Sequence, residues 1–189
     1  MKMSKNINIY LEANPNPNSL KFVTDKILID GGIIKDYPDV ESAIDSPLAI
    51  SLFEFKYIKR VFIMSNFITL TKNEDISWDD IKIELRDFIK KYIEEEKTIL
   101  NKSITEDNSS PNGDVDKKII EVLEEYIKPA VEQDGGAIQF ESYNNGIVKV
   151  SLQGACSGCP SSMITLKAGI EKLLKRFIPE VNEVVAQEV

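Results

Sequence analysis

The sequence predicts an α+β protein of two small domains joined by a flexible linker, and three observations carry that expectation. Apolar and polar residues alternate over short runs in both halves, as in Ile7, Ile9 and Leu11 or Val148, Val150 and Leu152, which is the period of half-buried strands. Other stretches repeat apolar residues three and four positions apart, as in Trp78, Ile81, Leu85, Phe88 and Tyr92, which is the period of a helix with one buried face. From Lys97 onward the composition turns to Asn, Ser, Thr, Pro, Gly and charge with no apolar period, the signature of a linker. The expected boundaries are 1–96 for an α/β first domain, 97–113 for the linker and 114–189 for a helix–hairpin–helix–strand second domain. A chain of 189 residues that is 42% hydrophobic has enough apolar material for two such cores.

In chain order, the alternation from Ile7 to Glu12 predicts a strand, and Asn14-Pro15-Asn16-Pro17-Asn18 breaks it as a turn. Ser19 to Val23 and Lys26 to Ile29 read as short strands, the second ended by Gly31-Gly32. Pro47 to Phe55 reads as a short helix entered at Ser46, with Leu48, Leu52 and Phe55 inward. Strands over Ile58 to Met64 and Asn66 to Thr71 join at Ser65-Asn66. Ser77 is placed to cap the helix that begins at Trp78, and Asp80 lies in its first turn, where the helix dipole favours a carboxylate.

Beyond the linker, Ile119, Ile120, Leu123, Ile127, Ala130 and Val131 form one face of a helix starting near Asp114, with Pro129 and Gly135-Gly136 expected to end it. Ala137 to Tyr143, the turn Asn144-Asn145-Gly146, and Ile147 to Leu152 read as a hairpin. A last helix begins near Pro160, where a missing N–H costs nothing, with Met163, Leu166, Ile170, Leu173, Leu174 and Phe177 inward. Val181 to Val189 alternates weakly and fits a closing strand.

Composition excludes several functions. A net charge of −8, with no cluster of Lys and Arg, argues against nucleic acid, since non-specific DNA binding neutralises phosphates with clustered cations. No run of about 18 apolar residues exists to cross a membrane. The first residues carry no apolar core of a secretory signal, so a cytoplasmic location is expected, where thiols stay reduced. Histidine is absent, which removes the commonest general base, every Cys-His or Ser-His pairing and mixed Cys/His zinc sites.

What chemistry remains rests on Cys156 and Cys159, the only cysteines, or on carboxylates, which are plentiful but unremarkably distributed. The cysteines lie in Gly154-Ala155-Cys156-Ser157-Gly158-Cys159-Pro160, between the last hairpin strand and the last helix. Free backbone N–H groups and the positive end of that helix favour thiolate over thiol, although the dipole supplies only about 0.3–1 kcal/mol at an exposed site. The turn biases the sulfurs toward reactivity without selecting a metal, a disulfide or plain burial. Asp134, Gly135 and Gly136 read as a helix stop and turn.

The motifs Pro129-Ala130-Val131-Glu132-Gln133-Asp134-Gly135-Gly136, Gly154 to Pro160, and Thr165-Leu166-Lys167-Ala168-Gly169-Ile170-Glu171 resemble the C-terminal domain of NifU, the Nfu-type iron–sulfur scaffold. Asn14 to Phe22, Ser46 to Ala49, Val61 to Ile63 and Phe67 to Lys72 resemble the N-terminal domain that accompanies it in Nfu proteins. Lys128 stands where many members have Arg before the proline, and a lysine lacks the planar fork.

The resemblance implies a non-enzymatic scaffold and carrier. Two protomers would form a homodimer through the C-terminal domain, each lending Cys156 and Cys159 to one [4Fe–4S] cluster, which is then passed to apo iron–sulfur proteins. Stoichiometry makes the same demand: such clusters are usually held by four thiolates and one chain supplies two, so a closed site is shared across a two-fold axis. A dithiol–disulfide oxidoreductase using the same Cys-x-x-Cys, with Cys156 attacking and Cys159 resolving, is the alternative; a zinc shared by four thiolates fits the same geometry. The first domain, with neither cysteine nor histidine, is expected to serve recognition or orientation.

Overall fold

The computed structural model describes residues 6–30, 32–101, 113–157 and 160–188, apart from the side chains of 160–163 and 188. The chain divides into two compact units, Met1–Ile104 and Thr105–Val189, both of mixed strands and helices, as the α+β reading expects.

In the first unit, strands β1 (Ile9–Ala13), β2 (Ser19–Thr24), β3 (Ile34–Tyr37), β4 (Ile58–Met64) and β5 (Phe67–Lys72) form one sheet in the order β1-β2-β5-β4-β3. Every pairing in it is antiparallel. Leu20, Phe22, Val61, Ile63, Ile68 and Leu70 of the sheet share one buried cluster with helices α1 (Pro47–Phe53) and α2 (Trp78–Glu94). The deep line of α2 is Ile81, Leu85 and Ile89, each one helical step of four from the next, while Trp78 and Phe88 sit half-buried at its rim. Burying each such side chain contributes about 1.5–3 kcal/mol.

Local chemistry explains the breaks. In the Asn-Pro loop, Asn14 Oδ1 accepts from the Asn16 N–H at 3.1 Å and Asn16 Oδ1 from the Asn18 N–H at 3.0 Å, so two Asx turns lead the chain into β2. Trp78 Nε1 donates to the Pro17 carbonyl at 3.2 Å, fastening that loop to the start of α2. Ser46 and Ser77 cap their helices, accepting from the Ala49 and Asp79 N–H groups.

Three expectations change here. Lys26 to Ile29 is not a strand: the Leu28 and Ile29 N–H groups both turn onto the Ser65 carbonyl, at 2.7 and 3.2 Å, and Ile29 is buried as part of a loop. Strand β3 goes unpredicted because its inner residues are Lys35 and Asp36. It is held instead by Asp36, which receives Arg60 Nε and Nη2 at 2.7 and 2.9 Å from β4. Finally, Lys97 does not open a linker. The Thr98 carbonyl accepts from the Tyr92 hydroxyl, the Ile99 carbonyl from Ser46 Oγ, and the Asn101 N–H donates to the Asp45 carbonyl at 2.7 Å, so the chain through Asn101 belongs to the first unit. The rest of the expected linker, 102–112, lies outside the described residues.

In the second unit, α3 (Asp114–Val122), a π-turn (Leu123–Ile127) and α4 (Lys128–Gln133) form one helical run. Pro129 does not end it. Proline has no N–H and its ring crowds the carbonyl four residues back, and the wider turn before it, in which the Lys128 N–H reaches the Leu123 carbonyl, makes room. Strands β6 (Gly136–Asn144) and β7 (Ile147–Gly154) pair antiparallel across Asn145-Gly146, both left-handed at φ 49 and 84, the two-residue turn whose twist suits a hairpin.

Helix α5 (Pro160–Phe177) then crosses to β8 (Glu183–Glu188), parallel to β7, giving the order β6-β7-β8. Glu171 of α5 accepts from the Val184 N–H at 3.1 Å and from Lys175 at 2.5 Å, tying helix to strand. Its core line is Ile170, Leu174 and Ile178, so Phe177 falls off that line. Phe177 is 46% exposed and stacks on Tyr126 at 5.2 Å instead of packing inward. Met163 is among the side chains not described.

Candidate metal centre

The region around Cys156 is built from two corners held against each other. One is the end of α4, where Gly135 at φ 81 donates to the Glu132 carbonyl at 3.0 Å and stops the helix. The other follows β7, where Gly154 at φ 68 turns the chain and its carbonyl accepts from the Ser157 N–H at 3.1 Å. The corners are joined by the Gly136 and Gly154 pairing in the ladder and by the Ala155 N–H, which donates to the Gly135 carbonyl at 3.2 Å. Ser157 Oγ donates to the Leu152 carbonyl at 3.0 Å, closing the turn from beneath.

Within the turn the Ala155 and Ser157 N–H groups are bonded to backbone carbonyls, and residues 158 and 159 ahead of α5 lie outside the described residues. What the turn does is place Cys156. Only 7% exposed, it belongs to the buried cluster of Ile138, Val150, Leu152, Ile170 and Leu174. Its sulfur lies beside Gly136: a Cβ there would come within 2.9 Å of Cys156 Sγ. Position 136 is thus part of the sulfur's surroundings as well as of the turn after α4, a contact that no sequence spacing announces.

The second expected ligand, Cys159, and Gly158 beside it lie outside the described residues. Among the described residues no group of three or more His, Cys, Asp or Glu is arranged to hold a metal. The thiol that the described residues place at this turn is that of Cys156. The absence of a side chain at Gly136 is what leaves room for Cys156 Sγ itself. Lys128 sits on the surface with Glu124 at 3.9 Å, one helical turn away. No helix among the described residues is long and apolar enough to cross a membrane.

Known proteins agree with this division. Residues 9–96 match the family model "Scaffold protein Nfu/NifU N terminal" and residues 119–185 match "NifU-like domain". NifU-like protein 4, mitochondrial, of Arabidopsis thaliana is 39% identical over 93% of this chain and 64% of its own length. The NFU1 iron-sulfur cluster scaffold homolog, mitochondrial, of Drosophila ananassae is 38% identical over 96% of this chain and 64% of its own. The human protein of that name is 37% identical over 93% of this chain and 70% of its own. The chain thus spans just under two thirds of the plant and fly proteins' length.

These names correct the expected cytoplasmic location, since all three relatives are called mitochondrial. The physical reason is that a missing secretory core speaks only to the secretory route and does not separate one reducing compartment from another. With both halves matched in order and the similarity running through nearly the whole chain, the protein belongs to the NifU-like family of two-domain Nfu proteins.

Proposed function

We propose that this protein is an iron–sulfur cluster assembly scaffold and carrier. Cys156 and Cys159 of two protomers hold one [4Fe–4S] cluster as cargo and release it to apo iron–sulfur proteins. The observation that carries the reading is the donor count: two thiols on one turn, no histidine, and relatives named for iron–sulfur scaffolding. Four thiolates usually complete such a cluster, so two copies of the turn must meet, and separating them removes half the ligands. That lability suits a carrier. The chain's own part is to bind, orient and give up the cluster, and no general acid or base is needed for it.

The dithiol oxidoreductase alternative draws no support from the relatives, which are named for iron–sulfur scaffolding. The first unit holds no cysteine or histidine and is assigned to recognising recipients.

Anaerobic loading with iron and sulfide tests the reading. About four irons and four sulfides per two chains are expected, with loading lost in Cys156→Ser and in Cys159→Ser. Undiminished loading in either variant would contradict it, as would disulfide reductase activity in a wild type that takes up no iron.

A further inference from the structure

Two successive glycines lead from α4 into β6, Gly136 being the first residue of the strand, and the structure asks different things of them. Gly135 is required by its backbone, since φ 81 is a conformation that side chains resist. Gly136 has no left-handed φ, so its backbone would accept any residue. What excludes a side chain there is proximity. A Cβ at 136 would lie 2.6 Å from the Gln153 carbonyl oxygen, 2.9 Å from Cys156 Sγ and 3.4 Å from the Cys156 nitrogen, where unstrained carbon contacts begin at about 3.5 Å.

The two closest neighbours differ in how they can yield. The Gln153 oxygen is backbone in the β6–β7 ladder and retreats only if the hairpin opens. The sulfur ends a short side chain of the buried cluster and can yield by rotating. A side chain at 136 therefore turns the sulfur away, opens the strand pair, or both.

We propose that Gly136 is a positioning residue for the cluster ligand: its bare α-carbon is the floor of the seat that holds the Cys156 sulfur and sets its direction. This rests on the reading of Cys156 as a ligand. Cys156 is 7% exposed in this seat, so a side chain at 136 that turns the sulfur away also opens it to solvent.

A double-mutant cycle on the full chain tests the seat without any cluster. Thermal midpoints are compared for wild type, Gly136→Ala, Cys156→Ala and the double variant. Gly136→Ala lowers the midpoint, and about half or more of that drop disappears when residue 156 is alanine, because contacting residues are coupled. A single variant that fails to fold beside a double variant that does supports the seat equally. An identical drop in both backgrounds, or failure of both to fold, would show that the glycine serves only the Gln153 carbonyl and overturns the proposal.

Two readouts separate positioning from general damage. In a Cys159→Ser background, Gly136→Ala makes Cys156 alkylate several-fold faster with iodoacetamide; an unchanged rate counts against the seat. On anaerobic loading, folded Gly136→Ala takes up less iron and shows a shifted thiolate-to-iron absorption spectrum. If it loads like the wild type with the same spectrum, the glycine's role falls while the cluster reading stands. If the wild type takes up no iron, both fall.

Discussion

The two units use their glycines and buried polar groups for different ends. In the first, the polar residues that break the apolar pattern do structural work: Asn14 and Asn16 shape a loop, Ser46 caps a helix, and Asp36 receives the Arg60 guanidinium across an edge. Its sheet has five strands and its core runs through both helices. The second unit has three strands, and at the end of the middle one it places Gly154, Cys156 and, from the neighbouring strand, Gly136 in close contact. That arrangement seats the Cys156 thiol among Ile138, Val150 and Leu152, where an aliphatic side chain would pack as well. The difference teaches that the proposed ligand sits where close packing against a glycine, rather than a network of polar groups, sets the local structure.

The comparison can be broken from either side. The largest effect is expected in the first core: Phe22→Ala, which removes a fully buried ring of β2, lowers stability by about 3–5 kcal/mol in denaturant unfolding of that unit. Iron loading should stay at the wild-type level below the transition; a matching loss of loading would show that the units are not separable in function. Next, Gly146→Ala places a Cβ 2.1 Å from Asn182 Nδ2 and 3.0 Å from the Glu180 carbonyl at φ 84, costing the second unit about 1–2 kcal/mol or more. An unchanged midpoint would contradict the hairpin geometry.

Smaller effects sharpen the boundary. Ser46→Ala removes both the α1 cap and the donor to the Ile99 carbonyl, costing roughly 1–2 kcal/mol. It should also raise amide exchange over 98–101, and no change there would detach those residues from the first unit. The smallest effect is electrostatic. The hydrogen bond from Lys175, and then that from the Val184 N–H, hold the Glu171 carboxyl below its ordinary value of 4.5. A depressed carboxylate stabilises the fold above its unfolded pKa, and that stabilisation is lost as pH falls through the lower folded value. The second unit should therefore soften below about pH 4.5, and Glu171→Gln should flatten that acid limb of the midpoint-against-pH curve; an unaltered limb would remove Glu171 from the account.

Much of this was readable in the residues because the cues were local. Asn145-Gly146 named its own turn, Ser46 and Ser77 named helix starts, and alternation located β1 and β7. The Cys-x-x-Cys spacing placed the candidate ligands on a strand-to-helix turn, and the structure describes that turn through Ser157. What escaped was tertiary. Lys35 and Asp36 carry no apolar period, so β3 exists only through its partner strand. The π-turn before Pro129 is a response of the whole helical run to one missing N–H. Phe177 was assigned inward by spacing, yet Ile178 continues the buried line. Gly136 looked like a turn residue because its sulfur neighbour arrives twenty residues later, from the far end of a hairpin.

The central claim is that one chain brings half a coordination sphere, so the cluster defines a pair. Native mass spectrometry of the anaerobically loaded 189-residue chain tests it most directly. The account predicts the mass of two chains plus one cluster, returning to the mass of single chains, 21.3 kDa each, when the iron is chelated. A single chain that retains a whole cluster by itself would contradict it.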